Sequence, residues 1–143
     1  MEVVLDVYKR SYNNRNPVIC MDETPRQLIG ETREPTPQKL GVPERYDYVY
    51  KRNGVCNIFM ASEPLTGKRY PKVTEYKTRK DWAKFMAEVA GLYSESDKIT
   101  MVMDNLGTHT IGSFYEAYPP EIAKTWIDRF EFAHAHGLVY CLI

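Results

Sequence analysis

The sequence predicts an α/β domain: a mixed sheet with helices packed on it. Three observations carry that prediction. Two short apolar runs, PVICMD (17–22) and ITMVMD (99–104), read as buried strands, and each ends on an acid. A β-rich meander with turn residues fills 46–76. Helical spacing of apolar residues appears just before the second run and again after it. A meander followed by alternating α and β units gives a mixed sheet under helices.

In chain order, residues 3–12 place Val4, Leu5, Tyr8 and Tyr12 near helical spacing, which predicts a short leading helix. Asn13, Asn14, Asn16 and Pro17 end it. The stretch 24–45, with Pro25, Gly30, Pro35, Pro37, Gly41 and Pro43, reads as a long irregular segment, with room for a short strand at 27–33. Strands at 46–52 and 55–62 flank Asn53-Gly54, a strong hairpin signal because both residues tolerate positive φ. A turn at 64–67 leads to a third strand over 68–76, where Pro71 points to an edge.

Thr78 and Asp81 have capping-box spacing. Trp82, Phe85, Met86, Val89 and Tyr93 then form one apolar helical face, with Gly91 near its end. Beyond the strand at 99–104, Ser113 to Tyr118 suits a short helix. Pro119 and Pro120 open another, carrying Ile122, Ala123, Trp126, Ile127 and Phe130. Residues 130–134 form a last strand, and the tail 135–143 is apolar. Trp82 and Trp126 are expected in the core.

Composition narrows the function. The chain has 143 residues, with 19 Lys+Arg against 19 Asp+Glu. That length suits one domain burying about 68–70% of its unfolded surface. With 43% hydrophobic residues a disordered chain is excluded. No apolar run nears the roughly 20 residues of a membrane helix, and the N-terminus does not read as a signal peptide. A cytoplasmic protein without a membrane partner is expected. Cys20, Cys56 and Cys141 are an odd set without C-x-x-C spacing, which predicts reduced thiols. A balanced charge is unlike an isolated DNA-binding domain, so any nucleic-acid contact needs a local patch.

Asp22 and Asp104 carry the chemistry. Carboxylates ending two central strands would meet in the crevice beyond the strand ends, where α/β sheets bind ligands. Two acids there repel unless a cation lies between them. Hard oxygen ligands favour Mg²⁺ or Mn²⁺, which suits phosphodiester chemistry. Ordinary helix and loop capping by Asp is the alternative.

Several stretches carry a family resemblance: LDVYKRSYNNRNPVICMDETPRQLIGETREPTP, RYDYVYKRNGVCNIFMASEPLTGKRYPKVTE, MVMDNLGTHTIGSFYEAYPP and FEFAH. Together they resemble the catalytic domain of bacterial mariner-like insertion-sequence transposases, within the DDE endonuclease superfamily. The resemblance runs from about residue 5 to about residue 134. It implies an RNase H-like fold, a mixed five-stranded sheet with helices packed on it. Residues 1–16 would be a leading helix and linker, and 17–143 the catalytic core. It implies DNA cleavage at transposon ends and joining of the 3′-hydroxyl to target DNA, with Mg²⁺ or Mn²⁺ at Asp22 and Asp104. The implied partners are transposon-end and target DNA, a second copy of the chain, or a full-length transposase, near the bacterial nucleoid.

The pattern departs from the family at its end. His136 and Gly137 echo the stretch before the family's third carboxylate, but Leu138 to Ile143 do not continue it. Glu131 comes too early to be that acid. The expectation is a core incomplete at its C-terminus, with apolar Val139, Leu142 and Ile143 either exposed or replacing part of the missing helical cover. The alternative function is a catalytically inactive remnant, inert or pairing with a full-length copy.

Lesser residues divide between function and structure. Glu23 would face away from Asp22 if the strand continues; it either supports the site or bonds a loop. Asn105 and His109 follow Asp104 in a D-N-x-x-x-H pattern shared with the family. They either orient the carboxylate or touch DNA, or else cap the next segment. His134 and His136 suit Zn²⁺ better than Mg²⁺. Lys68, Arg69, Lys72, Lys77, Arg79 and Lys80 form the densest basic stretch, either a phosphate contact or a solvated face. Arg45, Lys51 and Arg52 add charge nearby, and Tyr46, Tyr48 and Tyr50 either stack on bases or pack on the core.

Overall fold

The computed structural model describes residues 2–32, 40–41 and 49–135. Helix α1 spans Glu2–Tyr8, and strand β1 spans Val18–Glu31. Strands β2 (Tyr50–Glu63) and β3 (Lys68–Thr74) follow, then helix α2 (Arg79–Leu92) and strand β4 (Ile99–Asp104). Helices α3 (Ile111–Ala117) and α4 (Pro120–Ile127) lead to strand β5 (Phe130–Ala135). The five strands form one mixed sheet in the order β3-β2-β1-β4-β5. β1 is antiparallel to β2, and β2 to β3; β1, β4 and β5 run parallel. The α3–α4 segment makes the crossover that parallel β4 and β5 require. Among the described residues no helix is long and apolar enough to cross a membrane.

The pleat sorts the sheet into two unlike faces. Ile19, Met21, Phe59, Ala61, Met101, Met103 and Phe130 lie under α2, α3 and α4. They meet Trp82, Phe85, Met86 and Val89 from α2, and Phe114 from α3. The expected capping box starts α2: Asp81 N donates to Thr78 Oγ1, and Thr78 N donates to Asp81 Oδ2. The other face holds a smaller cluster of Val4 and Val7 from α1 against Cys20, Val102 and Ala133.

Four local readings change. The leading helix is shorter than 3–12 and buries Val4 and Val7, whereas Leu5, Tyr8 and Tyr12 are exposed. The irregular stretch from 24 is strand through Glu31, paired along its length with β2. Beyond Cys20 the pairing of β1 with β4 stops. Pro25 therefore sits where β1 has a neighbour on one side, and its missing donor costs little.

Asn53-Gly54 does not turn the chain but lies inside β2. The register slips between Leu28/Ile29, opposite Gly54 and Arg52, so Asn53 is the extra residue of a bulge. Gly54 takes φ +117° there. A Cβ on Gly30 would meet Asn53 Nδ2 at 2.6 Å, so the Asn53 side chain lies over Gly30 and would have to swing away from a larger residue there. Fourth, α4 buries Ala123 and half-buries Trp126 and Ile127, Ile122 is exposed, and Phe130 belongs to β5. The expectations for Arg45, Tyr46, Tyr48, His136, Cys141 and the rest of the tail lie outside the described residues.

At the end of the sheet where β1 and β4 begin, Glu63 is almost fully buried. Its Oε2 accepts from Tyr93 Oη at 3.0 Å, with Lys68 Nζ at 4.0 Å. Nearby, Arg10 ties the chain before β1 to β5. It donates to Glu131 Oε1 (3.2 Å) and Thr100 Oγ1 (3.3 Å).

Candidate active site

Asp104 is the last residue of β4, where an apolar strand of the parallel core gives way to a polar loop. Asp22 does not end its strand; β1 runs nine residues further, to Glu31. The two are nevertheless level. Cys20 pairs with Val102, and each aspartate lies two residues on, so both project from the α1 face of neighbouring strands. Their positions lie just beyond the last β1–β4 pair, Cys20 with Val102. Burial raises the Asp22 pKa above the ordinary value, the Glu23 and Asp104 carboxylates add to the rise, and the Glu23 N–H donating to Asp22 Oδ1 (2.8 Å) partly offsets it.

Glu23 continues the strand and faces the helix-covered side. Its side chain is 5% exposed and lies against Lys77 Nζ at 3.7 Å. His109 sits over the end of the sheet and reaches both faces. Its Nδ1 is 2.6 Å from Asp104 Oδ1, and its Nε2 is 2.9 Å from Glu23 Oε2. The second contact is close but poorly aligned, leaving both of its atoms without a well-formed hydrogen bond. The imidazole is fully buried and stacks on Trp82, with ring centres 5.5 Å apart. A turn closed by His109 N donating to Leu106 O (2.8 Å) folds the loop back to this position.

Both ring nitrogens face carboxylates, which only accept, so a doubly protonated ring suits the site. Burial opposes that charge, but Glu23 and then Asp104 outweigh it and raise the His109 pKa. Glu23 shows the converse: burial would raise its pKa, and His109 and Lys77 more than reverse this. Sequence reasoning placed His109 near Asp104 but missed its contact with Glu23. Only the fold brings residues 23 and 109 together.

Asn105 is exposed and lines a cleft of about 370 Å³ with His109, Phe132 and His134. His134 stacks on Phe132, and its buried Nδ1 has no hydrogen-bond partner among the described residues. Glu131 pairs with Thr100, four residues before Asp104, which is roughly 13 Å along the strand. It is held there by Arg10 and is remote from Asp22 and Asp104.

The basic stretch is dispersed. Lys68, Lys72, Lys77 and Arg79 each meet an acid of the chain, respectively Glu63, Glu88, Glu23 and Glu116. Arg69 and Lys80 are exposed. Lys77 is the one of these that touches the carboxylate–imidazole group.

Among the described residues no group of three or more His, Cys, Asp or Glu side chains is arranged to hold a metal. The Asp22–Asp104 pair itself fits a hard divalent cation. Two oxygen-donor groups project from one face of neighbouring strands, and the burial and neighbouring carboxylates that raise the Asp22 pKa disfavour a bare charge that a cation would offset.

Solved structures share the fold. The chain is similar to the Mos1 strand transfer complex, with a TM-score of 0.55 at 15% identity, covering 94% of this chain and 39% of that one. The Mos1 transposase paired-end complex with left transposon end gives 0.54 at 14% identity, covering 92% and 38%. The Mos1 mariner paired end complex with Mn gives 0.54 at 14% identity, covering 94% and 40%. The chain thus spans about two fifths of the length of these proteins. No curated protein matches it in sequence. The family model described as DDE superfamily endonuclease matches residues 17–140. The chain belongs to the DDE superfamily endonuclease family, with the RNase H-like fold of that group.

Proposed function

We propose that this is a transposase catalytic domain that cuts phosphodiesters at transposon ends and joins the freed 3′-hydroxyl to target DNA. The observation that carries the reading is the Asp22–Asp104 pair, each two residues beyond the paired Cys20 and Val102 on one sheet face. Asp22 and Asp104 would hold Mg²⁺ or Mn²⁺. The bound cation would supply charge neutralisation at the phosphate and a more acidic water or hydroxyl. The protein's part is to fix the two carboxylates, through β1, β4 and the His109 contact, and to receive DNA on the open face.

Lys68, Arg69, Lys72, Lys77, Arg79 and Lys80 are the candidate phosphate contacts. The four that are paired to acids would exchange those partners for phosphate. A second copy or a full-length transposase of the bacterial insertion-sequence type is the proposed protein partner.

A second reading is a domain that does not turn over alone and acts beside a complete copy. It is favoured by the lack of a third metal-holding side chain among the described residues. One experiment separates the two: nicking of supercoiled plasmid DNA in Mn²⁺ by wild type and by Asp104→Asn. Metal-dependent nicking abolished by the substitution supports the catalytic reading. Nicking equal in both, or unaffected by chelation, counts against it.

A further inference from the structure

His109 lies where the two faces of the sheet meet. Its Nδ1 is 2.6 Å from Asp104 Oδ1, and its Nε2 is 2.9 Å from Glu23 Oε2. Its side chain is 0% exposed, while that of Asp104 is 39% exposed. Trp82 from α2 fixes the ring plane, stacked at 5.5 Å and 24°. Lys77 holds the far oxygen of Glu23 at 3.7 Å. The ring's neighbours Glu23, Asp104 and Trp82 come from β1, β4 and α2, so the buried imidazole is more restrained than the part-exposed Asp104 carboxylate. Asp104 therefore follows the ring.

We infer that His109 is a positioning residue, a buried strut stacked on Trp82 and in ion-pair reach of Glu23, that sets the orientation of the Asp104 carboxylate. Glu23 faces the helix-covered side, so its part is to give the imidazole a counter-charge and not to serve as a third ligand. An aspartate at the end of a strand, half in solvent, would otherwise sample several rotamers and lose that freedom on binding a cation. The Nδ1–H donating to Oδ1 commits one oxygen and leaves Oδ2 for the ion. Hydrogen-bond partners of ligating groups typically change metal affinity by about 10–100-fold when removed. The inference rests on the proposal that Asp104 is a metal ligand.

The test compares two replacements that both remove the stack on Trp82. In His109→Asn the side-chain amide can donate from near the Nδ1 position. In His109→Gln it donates from near Nε2, toward Glu23. Mn²⁺ affinity is read by electron paramagnetic resonance, with circular dichroism confirming the fold. The expected result is about 10–100-fold weaker binding in His109→Gln, with much of the affinity kept in His109→Asn. Equal affinities in the two variants, with normal wild-type binding, would overturn the strut alone. Wild-type protein that binds no Mn²⁺, or binds it no better than Asp22→Asn and Asp104→Asn, would overturn the metal-site reading and the strut with it.

Should both His109 variants unfold, ¹⁵N-histidine spectra of the wild type titrated with Mg²⁺ decide. The His109 Nδ1 resonance should move and saturate with metal, and should not move in Asp104→Asn. A resonance indifferent to Mg²⁺ in the wild type would overturn the proposal.

Discussion

The two faces of the sheet are made by the same strands and do opposite things. On one, Ile19, Met21, Phe59, Met101 and Met103 are sealed under three helices. On the other, the alternate residues include Asp22, Thr100 and Asp104, and α1 covers only Val4, Val7, Cys20, Val102 and Ala133. Apolar packing fixes β1 and β4 from the first face, and the same strands carry Asp22 and Asp104 on the second. His109 joins the faces, with its ring in the core and its Nδ1 at the carboxylate.

Substitutions that break this division should differ in size and in kind. Asp104→Asn should leave the core intact and lower metal-dependent DNA nicking on the order of 10⁴-fold, as loss of one member of a catalytic unit does. An unchanged melting temperature beside lost activity is the expected pattern. Trp82→Ala attacks the opposite face and also the support of His109. It should destabilise by about 3–5 kcal/mol in denaturant unfolding.

Tyr93 tests the buried polar group at the other end of the sheet. Burial first, then Tyr70 and Glu63, raise its pKa well above the ordinary 10.0. Folding therefore favours the protonated phenol. Its contribution is full below about pH 10 and is lost as pH rises beyond that. Wild-type stability should fall more steeply above pH 10 than that of Tyr93→Phe. At neutral pH the variant should be less stable by about 1–3 kcal/mol, because Glu63 loses its donor.

Glu131→Gln should matter least. Arg10, opposed by slight burial, holds the Glu131 carboxyl below its ordinary value. Its contribution is thus present above about pH 4.5 and lost as pH falls. The pair is about half exposed on both sides, so the change should stay under about 1 kcal/mol and leave metal binding untouched.

Much of this division was legible in the sequence. The run ending at Asp104, the Thr78–Asp81 cap and the Trp82 face are local patterns that appear where spacing placed them, whereas the run to Asp22 is strand that continues to Glu31. Asn53-Gly54 misled because a bulge and a hairpin turn require the same backbone freedom. Only pairing with Gly30 and its neighbours distinguishes them. Thr24 to Glu31 looked irregular because the strand there packs no face, so it lacks the alternation that marks a buried one. The site was half legible. The acid that closes the β4 run was visible in the sequence, but Asp22 lies within β1, and the link from Glu23 through His109 joins residues 86 positions apart, which no local signal encodes.

The most direct test is a crystal structure of the protein soaked in Mn²⁺, with anomalous scattering to locate the ion. The account predicts an anomalous peak bound by carboxylate oxygens of both Asp22 and Asp104 on the α1 face, with His109 still on Asp104. A peak held by Glu23 or His134 without these aspartates, or no peak at saturating Mn²⁺, would contradict it.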